Sequence, residues 1–213
     1  RAFPGIRVIV ADGERRVLEV DDRPALVVAT RGAEPVAAGG YRAVLLLDGE
    51  RMTARETLRV AEDCLRWWSD AAALAADDAT VFLVGVGGRL ATALATGGIA
   101  AFARQELADR RALGFPPAMR VATLEGFPDA VETAIAALPE GTDVIAERTL
   151  DGRTRAIIRF DYARGAAVAK AVRGEIIRQA AARRKPIPGR PRTGRAPLPL
   201  RARFDDPEPF EET

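Results

Sequence analysis

The stretch at residues 101–117, AFARQELADRRALGFPP, constrains the fold more than any other part of the sequence. It predicts a polar helix that runs into Gly114, where a helix end favours a residue that is free to adopt positive φ. Pro116 and Pro117 cannot continue a helix. The stretch therefore predicts a firm boundary, with an α/β region before it and an α+β region after it.

The predicted helix carries an acid and a base four residues apart, Glu106 and Arg110. On a helical wheel both fall in the same sector as the apolar Phe102 and Leu113. A solvent-exposed pair of this kind contributes only about 0.3–0.5 kcal/mol. Because the sector also contains apolar residues, we expect it to face protein at a domain interface. The predicted interface residues are Phe102, Glu106, Arg110 and Phe115.

The N-terminal region contains four short apolar runs, at residues 6–10, 25–29, 43–47 and 81–86. Such runs, bounded by Asp, Gly or Pro, are typical of strands buried on both faces. Apolar residues at steps of three and four predict an amphipathic helix over residues 53–76. Thr53 and Glu56 form a candidate capping box for that helix. A parallel sheet with a crossover helix is the predicted architecture.

Glycines at positions 85, 87 and 88 follow the fourth run, where they could cradle a phosphate. A dinucleotide motif would require a small residue at position 90, which is Leu90, and it would follow the first strand of the sheet. The sequence therefore favours a plain turn over a phosphate site.

The C-terminal region predicts a different pattern of elements. Strands are expected at residues 119–125, 144–148, 155–160 and 198–204, and helices at 128–138 and 164–184. Asp151 and Gly152 form a strong hairpin signal between the second and third strands. The last strand alternates apolar and basic residues, as an edge strand would. The order βαββαβ predicts a ferredoxin-like split sandwich.

Charge is unevenly distributed along a chain whose net charge is only +2. Residues 152–204 contain fifteen basic and two acidic residues, whereas residues 1–151 carry a net charge of −6 and the last nine residues contain five acids. A basic, Pro- and Gly-rich segment predicts nucleic-acid contact through backbone phosphates, although solvated surface is the alternative. The predicted DNA-binding residues are Arg183, Arg184, Lys185, Arg190, Arg192 and Arg195. The acidic tail at residues 205–212 is predicted to compete with DNA for these basic residues.

The sequence also excludes several kinds of chemistry. It contains no His, one Ser (Ser69) and one Cys (Cys64), so it cannot form a His-based triad or a disulfide framework. We therefore predict no catalytic, cofactor-binding or metal-binding residues. Neither a membrane span nor a signal peptide is apparent, which favours a cytoplasmic protein.

The pattern F-A-x-x-x-L-A-x-R from Phe102, followed by L-G-F-P-P, resembles a junction in the primosomal replication-restart helicases. That junction joins the second helicase lobe to the C-terminal domain. Upstream, FPGIRVIV, ALVVATRGAEP and GYRAVLLLD resemble successive pieces of the lobe. The resemblance implies a truncated RecA-like second lobe at residues 1–98, a connecting helix and Pro-Pro junction at 99–117, and a basic C-terminal domain at 118–209.

Active members of this family carry Q-V-A-G-R-A-G-R after the crossover helix, and its arginines reach the phosphates of the nucleotide. The corresponding residues 70–77 read DAAALAAD, which places Leu74 and Asp77 at the arginine positions. The family's G-T-Q-M-x-A-E-G motif is also altered here, to ATRGAEPVAAGG. The resemblance therefore implies a lobe that keeps its fold without ATPase chemistry, as in degenerate restart proteins of some high-G+C bacteria.

The resemblance implies a fragment that binds forked or branched DNA and helps assemble the primosome, so that the replicative helicase is reloaded. The expected partners are such DNA, single-stranded-DNA-binding protein, other primosome proteins, and the replicative helicase or its loader, at the nucleoid. Zinc ligands of the family are expected upstream of Arg1, with no cofactor in this fragment. The alternatives are a divergent ATP-dependent 3'–5' DNA helicase and a basic RNA-binding fold.

Overall fold

The structure is a computed structural model that describes residues 4–184, 200–206 and 209. The chain divides into two compact units, residues 1–104 and residues 105–213. The division falls inside a helix that spans Ile99–Leu113. The three-part domain organisation drawn from the sequence stays a prediction.

The N-terminal unit combines short parallel strand pairs with helices. Its elements are β1 (Val8–Ala11), β2 (Glu19–Val20), β3 (Leu26–Ala29), β4 (Val36–Ala37), β5 (Tyr41–Leu46), α1 (Gly49–Thr53), α2 (Val60–Ala72), β6 (Ala75–Leu83) and α3 (Gly88–Ala95). The strands pair in parallel as β1 with β3, β2 with β4, and β5 with β6. Parallel pairing was predicted, but these described strands form separate two-stranded ladders instead of one sheet.

The prediction that these strands are buried on both faces is wrong. Val8 is 51% exposed, Leu45 60% and Phe82 51%. Their neighbours Leu46 and Val44 instead pack into a core with Cys64, Leu65 and Trp68 of α2. Since α2 covers only one side of the β5–β6 pair, alternate apolar side chains point away from this core.

The predicted helix over residues 53–76 also differs from the structure. Thr53 ends α1, and its hydroxyl donates to the carbonyls of Gly49 and Glu50 at 3.0 Å each. The Thr53–Glu56 capping box is therefore wrong, because a bond back to the preceding turn uses the hydroxyl. Helix α2 begins only at Val60, and strand β6 begins at Ala75, inside the predicted helix.

The C-terminal unit contains one four-stranded antiparallel sheet among its described residues. Its elements after α4 (Ile99–Leu113) are β7 (Arg120–Gly126), α5 (Pro128–Ala136), β8 (Asp143–Leu150), β9 (Arg153–Phe160), α6 (Gly165–Arg184) and β10 (Arg201–Phe204). The strand order is β10-β7-β9-β8, so the predicted edge position of the last strand is confirmed. No helix in the described ranges is long and apolar enough to cross a membrane.

Two turns in this unit follow the sequence prediction closely. Asp151 and Gly152 have φ angles of 50° and 73°, as a two-residue hairpin with both central residues left-handed requires. Gly114 ends α4 with φ 65°. The amide of Phe115 donates to the carbonyl of Arg110 at 2.8 Å, which closes the helix end in a Schellman motif.

One face of the four-stranded sheet forms the core of the C-terminal unit. Ala122 and Leu124 of β7 and Ile158 and Phe160 of β9 are fully buried on this face. They pack with residues of α5 and α6, namely Val131, Ala134, Val168 and Val172. Because side chains alternate along a strand, the residues between them lie on the opposite face. That second face carries the candidate site.

Candidate nucleic-acid interface

The sheet face opposite α5 and α6 is rich in arginine, and we call it the arginine face. Residues paired directly across antiparallel strands share a face, so Arg155 lies with Arg148 on β8 and with Glu125 on β7. Glu125 is likewise opposite Arg201 of β10. The arginine face contains Arg148, Arg153, Arg155, Arg159, Arg201 and Arg203. The acids that the four strands place there are Glu125 and Asp143, which leaves a net charge of +4 on the face.

Both strand acids pair with arginines on β9. The guanidinium of Arg159 donates to the carboxylate of Asp143 at 2.9 Å and to the carbonyl of Gly114 at 3.4 Å. Arg153 forms an ion pair with Glu125. The two pairs lie at opposite ends of β9, one with an acid on β8 and the other with an acid on β7.

Arg148 and Arg155 occupy directly opposite positions on β8 and β9. Like charges at such positions destabilise a sheet, by an amount comparable to the roughly 0.2–1 kcal/mol that a favourable pair contributes. An anion bound between two guanidinium groups offsets this repulsion and can be held by paired N–H donors. The register therefore brings two guanidinium-bearing side chains to directly opposite positions on this face.

Residues that follow β10 contact this face. We call Asp205, Asp206 and Pro209 the acidic segment. The carboxylate of Asp206 accepts a hydrogen bond from the Thr123 hydroxyl at 3.4 Å and lies 3.7 Å from the guanidinium of Arg203. Arg155 donates to the carbonyl of Pro209 at 3.0 Å. The side chain of Asp206 is only 5% exposed. Carboxylate and carbonyl oxygens thus already contact the arginine face.

Asp205 is held at the edge of the sheet by Arg120. The Nε atom of Arg120 donates to the Asp205 carboxylate at 3.0 Å, and the Asp205 amide donates to the carbonyl of Val121 at 2.9 Å. The hydrogen bond from Arg120 lowers the pKa of Asp205 below its ordinary value of 3.8. Arg120 lies opposite Phe160, on the helix side of the sheet, so this contact anchors the acidic segment from outside the arginine face.

We expect Asp205→Asn to reduce the acid sensitivity of the C-terminal unit. A depressed carboxyl pKa adds stability that is fully present above the unfolded-state pKa and is lost as pH falls through the lower, folded-state pKa. The change should be at most about 1 kcal/mol at neutral pH, because the Asp205 side chain is 55% exposed. Thermal unfolding followed between pH 6 and pH 2 should show a shallower acid decline in the variant. An identical decline would show that the Arg120–Asp205 pair does not contribute.

Most of the DNA-binding residues predicted from the sequence lie outside the residues that the structure describes. Arg183 and Arg184 are the last residues of α6. Lys185, Arg190, Arg192 and Arg195 lie outside the described residues, so their role stays a prediction. The sequence analysis missed the arginine face, although β9 reads RTRAIIRF, in which Arg153, Arg155 and Arg159 share the period-two spacing of one strand face.

The predicted junction residues lie in their expected local surroundings. Arg110 is 8% exposed, lies 3.8 Å from the Glu106 carboxylate and donates to the carbonyl of Pro116 at 3.4 Å. Phe102 belongs to the core of the N-terminal unit, where it is 9% exposed. The interface role of these residues and of Phe115 stays a prediction.

Leu74 and Asp77, the positions predicted to match nucleotide-binding arginines, carry no positive charge. Leu74 follows α2 and lines a cavity of about 210 Å³ together with Tyr41 and Trp67. Asp77 is exposed on β6. Gly85, in the turn before α3, and Gly88, the first residue of α3, have φ angles of 78° and 63°, as tight-turn glycines do. Nothing at these positions supplies the positive charge that a polyphosphate requires.

No cluster of three or more potential metal ligands occurs in the part of the chain that the structure describes. The single cysteine, Cys64, is fully buried, and burial raises the pKa of its thiol. These residues give no basis for a metal site.

Comparison with known proteins finds relatives named as replication restart proteins. Residues 111–208 match the family model described as the primosomal protein N C-terminal domain. The chain is 43% identical over 151 residues to a probable replication restart protein PriA of Mycobacterium leprae (strain TN), covering 68% of the chain and 23% of that protein. It is 44% identical over 137 residues to the protein of the same name in Mycobacterium tuberculosis (strain ATCC 25618 / H37Rv), covering 59% of the chain and 20% of that protein. The chain thus spans about a fifth of the length of the curated relatives it matches.

Proposed function

The chain belongs to the primosomal replication-restart family, of which it represents a C-terminal portion, and we propose that it acts as a DNA-binding and assembly module. In this proposal it holds forked or branched DNA and helps assemble the primosome, without hydrolysing ATP. The proposed partners are single-stranded-DNA-binding protein, other primosome proteins, and the replicative helicase or its loader, at the nucleoid in the cytoplasm.

The arrangement of elements supports a finer assignment of the two units. The C-terminal strand order β10-β7-β9-β8, with α5 and α6 against one face, is the arrangement expected of a ferredoxin-like sandwich. The parallel pairing of β5 and β6 around α2 is the arrangement expected of a RecA-like lobe. We therefore propose a remnant of the second helicase lobe followed by a ferredoxin-like domain.

The observation that carries the DNA-binding proposal is the net positive charge of the arginine face. Arginine suits phosphate because its planar guanidinium can donate two parallel hydrogen bonds to two oxygens. The strands place no aromatic side chain among these arginines, so stacking on bases is not the expected mode. Contact through the backbone instead favours selection of DNA shape over sequence.

We expect the triple variant Arg148→Gln/Arg155→Gln/Arg203→Gln to bind DNA less tightly and with weaker salt dependence. Each phosphate contact on duplex DNA adds about −0.9 to the slope of log affinity against log salt concentration. If each arginine neutralises one phosphate, the slope should flatten by about two to three units, equally for all sequences. Fluorescence anisotropy on fork, duplex and single-stranded DNA at several salt concentrations measures this slope.

A matched control removes the same charge from the N-terminal unit, through Arg23→Gln/Arg42→Gln/Arg66→Gln. These side chains are 81%, 81% and 63% exposed. The control should keep the parent slope. A separate variant at Arg190, Arg192 and Arg195 tests the basic segment predicted from the sequence. If the triple variant on the arginine face keeps the parent slope, that face is solvated surface and the DNA-binding proposal for it fails.

A basic RNA-binding fold is the competing function from a different class. The two functions separate in a competition experiment, in which labelled fork DNA is displaced by unlabelled fork DNA or by structured RNA of equal charge. We expect fork DNA to compete at lower concentration. More effective competition by structured RNA would favour the RNA-binding alternative.

A further inference from the structure

We propose that the acidic segment occupies the phosphate-binding positions of the arginine face, so that nucleic acid must displace this part of the chain in order to bind. The inference rests on the proposed function, because it assumes that the arginine face binds nucleic acid. It adds an intramolecular ligand to that face and identifies the two positions at which this ligand lies.

The first position is formed by Thr123 and Arg203. Here a hydroxyl donates to the Asp206 carboxylate at 3.4 Å, and a guanidinium lies 3.7 Å from the same oxygen. A hydroxyl next to a guanidinium is also a common donor set for a phosphate oxygen. The Asp206 carboxylate therefore lies where a phosphate would be held.

The second position is on β9, where Arg155 donates to the carbonyl of Pro209 at 3.0 Å. Arg155 is also the residue directly opposite Arg148, so an acceptor here reduces the repulsion between two guanidinium groups. The two positions lie on β10 and β9, which are separated by β7. Neighbouring strands are about 4.8 Å apart, so the two positions are about 10 Å apart across the face.

Burial shows that the acidic segment packs on the sheet. Asp206 has a side chain that is 5% exposed, and Pro209 is fully buried. On the sheet itself, Thr123 is 4% and Ile157 6% exposed although both lie on the arginine face. This part of the face is therefore covered, and a nucleic-acid backbone cannot reach it while the acidic segment stays in place.

The contacts are nevertheless weak enough to be displaced. The Arg203 guanidinium is 74% exposed and lies 3.7 Å from the Asp206 carboxylate, so water and salt reach the cationic side of this long ion pair and screen it. When a site is open only part of the time, the apparent association constant of its ligand is the intrinsic constant multiplied by the open fraction. The acidic segment should therefore lower the affinity for DNA without abolishing binding.

The test uses the double variant Asp205→Asn/Asp206→Asn in the whole chain. Removing both carboxylates should tighten binding to duplex DNA about three- to tenfold at low salt, because exposed ion pairs shift an equilibrium by about that factor. The ratio of variant affinity to parent affinity should fall towards one at about 0.5 M salt, where screening is strong. The matched control is Glu132→Gln/Glu147→Gln, which changes the net charge equally on α5 and on the helix side of β8.

A second measurement asks whether the gain acts through the arginine face. The same Asp205 and Asp206 changes are made in a background of Arg155→Gln/Arg203→Gln, which completes a double-mutant cycle. If the acidic segment competes for these arginines, the gain disappears in that background. Circular dichroism of all variants checks that they are folded.

The outcomes separate this inference from the proposed function. No gain from the Asp205 and Asp206 changes, an equal gain from the glutamate control, or a gain that persists without Arg155 and Arg203 would each overturn the inference. DNA binding that is insensitive to arginine changes on the face would instead overturn the proposed function.

Discussion

Replacing Phe160 with alanine should lower the free energy of unfolding of the C-terminal unit by about 3–5 kcal/mol, the usual cost of removing a large buried aromatic side chain. Phe160 is fully buried at the end of β9, in the core formed with α5 and α6. Its ring also lies 6.1 Å from the ring of Phe204, in an edge-on arrangement. No nearby large side chain could fill the space without leaving its own packing, so a cavity would remain.

The measurement is urea unfolding followed by two signals. Both tryptophans, Trp67 and Trp68, lie in the N-terminal unit, so tryptophan fluorescence reports that unit and far-ultraviolet circular dichroism reports both. We expect the circular dichroism transition of the C-terminal unit to move to lower urea concentration. The matched control is Leu150→Ala, on the same sheet but 61% exposed, which should change stability by no more than about 0.5 kcal/mol. A loss below about 1 kcal/mol for Phe160→Ala would contradict the described core.

A full-length protein that carries this chain should show no DNA-stimulated ATP hydrolysis. An arginine that stabilises the transferred phosphoryl group contributes about 10³- to 10⁵-fold to turnover. At the two positions that the resemblance matches to these arginines, the chain has Leu74, which is uncharged, and Asp77, whose negative charge would repel the nucleotide. Both changes act in the same direction, so we expect turnover at the level of a reaction without enzyme.

The measurement is phosphate release with and without fork DNA, on a preparation whose DNA binding is confirmed in parallel. A divergent ATP-dependent helicase would hydrolyse ATP faster when DNA is added. DNA-stimulated turnover that is lost on substituting residues 70–77, and kept on substituting the 80%-exposed Asp78, would show that the lobe is active. That result would favour the helicase alternative over the assembly module.

The C-terminal elements could be predicted well because their signals are local. Gly114 and the prolines after it end a helix whatever its neighbours, and Asp151–Gly152 specifies a tight turn through backbone conformation alone. The N-terminal unit was harder to predict because burial depends on which elements cover a sheet. Val8 and Phe82 resemble core residues in sequence, yet they are about half exposed.

Helix α2 shows a second limit of sequence reasoning. Thr53 and Glu56 have the spacing of a capping box, but the Thr53 hydroxyl has an alternative acceptor in the turn that precedes it. The sequence does not show which acceptor is used, since the answer depends on a separate short helix, α1, that ends at Thr53.

The sequence by itself determined the family and the basic character of the C-terminal region, because each is a matter of residue identity at a position. Only the tertiary structure decided which arginines act together. Arg148 and Arg155 become neighbours through strand register, and Arg203 joins them because β10 pairs with β7. It also placed Asp206 and Pro209 on that face, far along the chain from the strand residues they contact. Strand register and these long-range contacts depend on the packing of the whole sheet, and the residues of one stretch cannot specify them.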